Sequence, residues 1–177
     1  MKPASTQTFF AEEQSFRQTW VWFAVLPSSA VVLLIFAIGL YQQLYLGKPF
    51  GDNPVSDRGL LIIALLIIPI VIGLPILFYK MKLVVRLLPD KLHIKFSPFV
   101  HKQIPLHDIV RCEPRKYSPI REFGGWGIRY GGKKRGWAYN VAGNRGVQLE
   151  LANGKLLLIG SQRADELAAA IQQLRGV

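Results

Sequence analysis

The sequence predicts a mixed α + β membrane protein: a two-helix transmembrane hairpin, then a small β-barrel with a C-terminal capping helix. Three observations carry this prediction. Two uncharged apolar runs in the first half of the chain are each long enough to cross a bilayer. From residue 80 the apolar residues alternate, as half-buried strands require. After Gly160 they recur at helical spacing behind Asp165 and Glu166, which suit the start of a closing helix.

The composition agrees with a membrane location. Half of the 177 residues are hydrophobic and 19% are charged, against about 25% charged in ordinary soluble domains. The chain is too apolar for intrinsic disorder. A single cysteine excludes an internal disulfide framework and any cysteine-based zinc cluster.

The first span covers about residues 20–46, WVWFAVLPSSAVVLLIFAIGLYQQLYL, with no charge between Arg17 and Lys48. The second covers about residues 59–79, GLLIIALLIIPIVIGLPILFY. Pro69 and Pro75 lie inside it, which spanning helices tolerate. Trp20, Trp22, Phe23, Tyr41, Tyr45, Phe78 and Tyr79 flank the runs as an interfacial belt. The first run is too long for a signal-peptide core, and Glu12 and Glu13 precede it. The second has no polar face, unlike a soluble core helix. Residues 1–18 form a cytoplasmic N-terminal segment. Phe9, Phe10, Phe16 and Trp20 could line an interfacial helix there, with a frayed tail as the other reading.

Charge sets the orientation. Residues 1–79 are electrically balanced, so the whole net charge of +11 lies in residues 80–177. Lys80, Lys82 and Arg86 follow the second span directly, while the loop GKPFGDNPVSDRG is neutral. The positive-inside rule puts the loop outside and both termini in the cytoplasm, in a multi-pass protein of a cell inner membrane. Cys112 then sits in a reducing compartment.

Residues 80–177 read as seven or eight short strands and a helix. Leu83, Val85 and Leu87 alternate with polar neighbours, Pro89-Asp90 makes a turn, and Leu92, Ile94 and Phe96 alternate again. Residues 104–106 form a short strand or turn, and residues 109–116 a strand. Trp126, Ile128 and Tyr130 face one way, as do Trp137, Tyr139 and Val141 beyond a basic turn. Val147, Leu149 and Leu151 lead into Asn153-Gly154, expected as a two-residue turn with positive φ at both positions, and the chain returns through residues 156–159. Leu167, Ala170, Ile171 and Leu174 share one face of the last helix.

The strand pair around Pro89-Asp90, the segment IPLHDIVRCEPRKY and the run GGWGIRYGGKKRGWAYNVAGNRGVQLELANGKLLLIGSQRADEL resemble a pleckstrin-homology-like domain. With two spans ahead of it, the chain resembles bacterial membrane proteins that carry such a domain. The resemblance implies an architecture, not an activity. Some pleckstrin-homology domains bind phosphorylated inositol lipids through basic residues around the first strand pair, where Lys82, Arg86, Lys91 and Lys95 lie here. Bacterial membranes rarely offer such lipids, so that activity is not expected.

Catalytic chemistry finds little support. The glycines from 124 to 146 fit neither a Walker loop nor a dinucleotide fingerprint, and turns and bulges account for them. His93, His101 and His107 lack metal-ligand spacing, and Cys112 lacks an activating partner in sequence. Asp108 and Glu113 have no evident role, and the other acids of the domain fit turns, strand surfaces and helix ends. No catalytic, cofactor-binding or metal-binding residue is assigned. Three basic groups are the most informative surface feature: Lys80, Lys82 and Arg86; Lys133, Lys134 and Arg135; and Arg111, Arg115, Lys116 and Arg121. They either dock a ligand or only reflect topology. Trp126, Tyr130, Trp137 and Tyr139 form an aromatic cluster, read as core; any exposed part would suit protein binding.

The expectation is a non-catalytic, membrane-anchored interaction or scaffold protein. It docks a protein partner or serves as an accessory subunit of a larger membrane complex, which could be energy-transducing. The alternative is an anionic-lipid-binding module at the membrane surface; an enzyme is a distant third. Candidate binding residues are Lys82, Arg86, Lys133, Lys134, Arg135, Trp126 and Trp137. No nucleic-acid partner is expected.

Overall fold

The computed structural model describes residues 7–16 and 18–176. The placement of Arg17 and of the Trp20 side chain lies outside it, and with that the reading of Trp20 as part of an interfacial face. The chain divides into two compact units. One is helical, over residues 17–79; the other is built from both flanks, up to residue 16 and from residue 80 onward.

The helical unit holds α1 (Thr19–Leu40) and α2 (Asp57–Lys80). Both are long and apolar enough to cross a membrane. Pro27 interrupts the donor ladder of α1, and the next hydroxyl, Ser28 Oγ, donates back to the carbonyls of Ala24 and Val25 at 2.8 and 3.0 Å. A π-helical turn, Tyr41–Tyr45, prolongs α1 and stacks the Tyr41 and Tyr45 rings 5.2 Å apart. Its buried Gln43 fixes the connecting loop: Nε2 donates to Val55 O at 2.8 Å and to Asp57 Oδ1 at 2.9 Å. Trp22 meets Tyr79 edge to face between the two helices.

The other unit begins before α1. The segment expected as an interfacial helix or tail is instead a strand, β1 (Phe10–Ser15). It is followed, beyond the helices, by β2 (Lys82–Leu87), β3 (Lys91–Ser97), β4 (Val100–Pro105), β5 (Ile109–Lys116), a short helix α3 (Pro119–Phe123), β6 (Gly127–Tyr130), β7 (Trp137–Asn140), β8 (Arg145–Leu151), β9 (Leu156–Gly160) and α4 (Ala164–Arg175). The strands are hydrogen-bonded as two open sheets, in the orders β1-β2-β3-β4 and β5-β8-β9-β7-β6. Every pairing is antiparallel except β7 with β9.

Period-two patterning explains the core. Leu83, Val85, Leu87, Leu92, Ile94 and Phe96 on the first sheet are fully buried, as are Val147 and Leu149 on the second, whereas β9 is buried on both faces, with adjacent Leu158 and Ile159 both fully covered. The buried face of α4 is Ala164, Leu167, Ala168 and Ile171; the expected Ala170 and Leu174 are only half-buried. Asn153-Gly154 belongs to a three-residue loop, because Leu151 N–H donates to Lys155 O and Glu150 faces Leu156. Only Gly154 has positive φ, and Asn153 instead accepts the Lys155 N–H through its side chain at 3.1 Å. One left-handed residue thus closes the turn where two were expected.

The position of β1 follows from its side chains. Phe10, Glu12 and Gln14 share the inward register with Leu87, Val85 and Leu83. Phe10 is buried, under the Arg163 guanidinium at 4.9 Å from the ring centroid. Gln14 Nε2 donates to Gly160 O at 2.9 Å. The Glu12 carboxylate accepts from Ser161 Oγ and, at 2.8 Å, from the Gln162 N–H, just ahead of α4. A carboxylate suits a helix N-terminus, where unpaired N–H groups and the helix dipole favour negative charge. Phe16, beyond the strand, meets Phe96 edge to face at 6.2 Å.

Candidate functional site

The β6–β7 hairpin carries an exposed aromatic pair beside three exposed cations. Tyr130 and Trp137 face each other across it, with ring centroids 5.3 Å apart. Tyr130 is 54% exposed and Trp137 44%. The loop between them is drawn tight by hydrogen bonds from Gly131 N–H to Gly136 O and from Gly136 N–H to Gly132 O, both 2.8 Å. With its backbone turned inward on itself, the loop presents Lys133, Lys134 and Arg135 to solvent. Two aromatic rings, tilted 47° to each other, therefore sit at the base of three cations.

The sequence pattern puts this aromatic cluster in the core, and the structure divides it. Tyr139 is buried, opposite Ile128 and beneath Lys102, whose Nζ lies 5.7 Å from the ring centroid. Burial pushes the Tyr139 phenol up from its ordinary value. Trp126 precedes β6, at the end of the hairpin away from Tyr130, about 13 Å along the strand. Its indole N–H donates to Gly143 O at 3.0 Å, so Trp126 braces two loops and does not join the exposed pair.

Lys82 and Arg86 belong to another surface, the outward face of the first sheet. Lys82 is ion-paired with Glu13 at 2.6 Å. Arg86 lies directly across from His93 and is exposed. Lys91 and Lys95 share this face. His93 and His101, unpaired in sequence, meet diagonally across β3 and β4: their Nε2 atoms are in direct contact and their rings lie 4.6 Å apart. Burial, helped by the charges of His101, Arg86, Lys91 and Lys95, holds the His93 imidazolium below its ordinary pKa.

Of the third basic group, Lys116 and Arg121 are exposed and Arg111 and Arg115 are ion-paired. Arg111 pairs with Glu113 at 2.7 Å, giving that carboxylate a partner the sequence did not reveal. Asp108 is 3.5 Å from His107, and its backbone carbonyl accepts the Ala152 N–H. Arg115 pairs with Glu122 at 2.9 Å and donates to Gln148 Oε1. Burial pushes the Glu122 carboxyl up, but the Ser118 N–H and Arg115 more than offset it, leaving it below its ordinary value. Cys112 is buried, and desolvation pushes its thiol up to about 11. Among the described residues no three His, Cys, Asp or Glu side chains gather to hold a metal ion. Comparison with protein-family models and with curated proteins gives no match.

Proposed function

We propose that this protein is a membrane-anchored, non-catalytic docking module that presents Tyr130 and Trp137, beside Lys133, Lys134 and Arg135, to a partner protein in a membrane complex. The exposed aromatic pair carries this reading. Two large rings held together on an exposed hairpin are the side-chain type on which binding energy concentrates. The adjoining cations favour an acidic partner and accelerate its approach.

Membrane anchoring is supported by the bare apolar surface of α1 and α2, where Phe23 and Leu65 are each 75% exposed. In water such surface would aggregate; in a bilayer it needs no cover. The ladder between β1 and β2 supports a paired crossing. Phe10 lies opposite Leu87 and Ser15 opposite Lys82, so the chain leaves and re-enters one folded unit. Two crossings return it to the same side; one could not. With the positive charge of residues 80–177, this favours both termini in the cytoplasm. The four-stranded meander, the β5-β8-β9 meander and α4 are consistent with a pleckstrin-homology-like domain, to which β6 and β7 add a hairpin.

The docking reading is tested by purifying the tagged protein from its native membrane in mild detergent. Near-stoichiometric partners are expected to co-elute, and the Tyr130→Ala/Trp137→Ala variant should lose them at least about tenfold at an unchanged melting temperature. Equal recovery with both proteins would remove this site from consideration.

The topology has its own test. Cys112 should resist thiol reagents from either side, since a pKa of about 11 leaves only about one thiolate in a thousand at pH 8. A cysteine introduced at Ser56 in the exposed loop should be labelled from outside the cell, and one at Lys134 only after permeabilisation. The opposite pattern at those two positions would reverse the orientation.

A further inference from the structure

We infer that the outward face of the first sheet is a proton-linked binding site for a phosphodiester anion, in which the His93–His101 pair takes up a proton as the anion docks between Arg86, Lys91 and Lys95. The site lies on different strands from the Tyr130–Trp137 pair and does not depend on the docking reading.

The register assembles it. Arg86, His93 and Gln103 form one row across β2, β3 and β4; Val84, Lys95 and His101 form the next; Lys91 begins β3 on the same face. Arg86, Lys95 and His101 are exposed, and His93 and Lys91 are half-buried. Among the charged groups facing the pair from each element, β2 offers Arg86 and Lys82, β3 offers Lys91 and Lys95, and β1 offers only Glu13. That carboxylate is already bonded to Lys82. The face is thus cationic, with its one acid engaged.

The histidine contact limits what this face can hold. Two imidazole nitrogens in direct contact share one proton: one donates, the other accepts. A second proton makes both nitrogens donors, breaks the contact and adds charge beside three cations. Without a counter-ion that step is unfavourable, and the lowered pKa of His93 agrees. An anion lying across the rows reverses the balance. Its single negative charge offsets part of the charge of Arg86 and Lys95, and each freed histidine N–H becomes a further donor to it. Because linkage is reciprocal, anion binding then promotes protonation as much as protonation promotes binding. A divalent metal is the poorer occupant, since the same three cations repel it and, among the described residues, no third His, Cys, Asp or Glu side chain gathers with the pair. A phosphodiester offers the oxyanion geometry that Arg and Lys hold well, free in solution or as a lipid head group.

The test uses the full chain in nanodiscs of neutral phosphatidylcholine, following the histidine ring resonances by NMR as pH is lowered. Glycerophosphoglycerol, whose charge is constant over this range, is one arm; nanodiscs containing phosphatidylglycerol are the other. In either arm the anion should raise the midpoint of the second protonation of the pair by about one unit. Binding should be about tenfold tighter near pH 5 than near pH 8, the same coupling read from the other side. His93→Gln/His101→Gln should abolish that pH dependence, and Arg86→Gln/Lys95→Gln should weaken binding at every pH. A response to the soluble ester locates the ligand in solution, and one confined to the lipid arm locates it in the bilayer; both uphold the site. An unchanged histidine titration in both arms overturns it, whatever the outcome at Trp137.

Discussion

Replacing Phe10 and Glu12 together by alanine is expected to cost the β-rich unit about 4.5–8 kcal/mol, comparable to the whole stability of a small domain. Phe10 is 5% exposed, and truncating a buried phenylalanine costs about 3–5 kcal/mol. Its loss also removes the ring beneath Arg163. Glu12 adds about 1.5–3 kcal/mol, because Ser161 Oγ and the Gln162 N–H lose a charged acceptor. The two sites share the segment leading into α4, so the sum is approximate. The neighbouring residue is the control. Glu13 faces outward and pairs with Lys82 in solvent, where such pairs are worth about 0–1 kcal/mol. Thermal melts in detergent followed by near-ultraviolet circular dichroism should separate Phe10→Ala/Glu12→Ala from Glu13→Ala by many degrees. Similar melts would mean that β1 is not part of the folded unit.

Gly136→Ala is the second large effect, and Gly132→Ala isolates its cause. Both glycines have positive φ, +70° and +82°, in the same loop. A left-handed backbone costs a non-glycine residue about 1–2 kcal/mol, and both variants bear that cost. They differ in space. A Cβ at Gly132 meets nothing within 4 Å, whereas one at Gly136 falls 1.9 Å from Leu156 O and 2.6 Å from its carbonyl carbon. Backbone must therefore move where β7 begins its parallel pairing with β9, at Trp137 opposite Leu157. Gly132→Ala should lose about 1–2 kcal/mol and keep its partner binding. Gly136→Ala should lose at least about 3 kcal/mol and, by displacing Trp137, its partner as well. Equal losses would show that strain alone governs this turn.

Much of this architecture is written locally. The apolar runs that became α1 and α2, the alternation that became β2 and β3, and the β8–β9 hairpin each announce themselves within a few residues, because burial on one face imposes its own period. Residues 109–116 were expected as a strand and form β5 over the same span. The candidate site was legible as a list, not as a place. Lys133, Lys134, Arg135 and Trp137 were singled out and do lie together, but Trp126 braces the far end of the hairpin, and Lys82 and Arg86 belong to another sheet.

Local patterning thus accounts for the elements whose side chains answer to neighbours close in the chain: two apolar helices, an excess of positive charge beyond them, most of the strands and one closing helix. The pairings between distant segments arise only in the folded chain. The inward positions of β1 and beyond read Phe10, Glu12, Gln14 and Phe16, half of them polar, so no apolar alternation marks a strand. Glu12 and Gln14 are held there by Ser161, Gln162 and Gly160, almost 150 residues away, and by a bond from Gln14 Nε2 to Glu12. His93 finds His101 only through the register of β3 and β4. Tyr139 is buried and Trp137 exposed on the same short strand, because position in the sheet, not residue type, decides which ring is covered. A local period reports whether a face is buried; it does not name the surface that buries it.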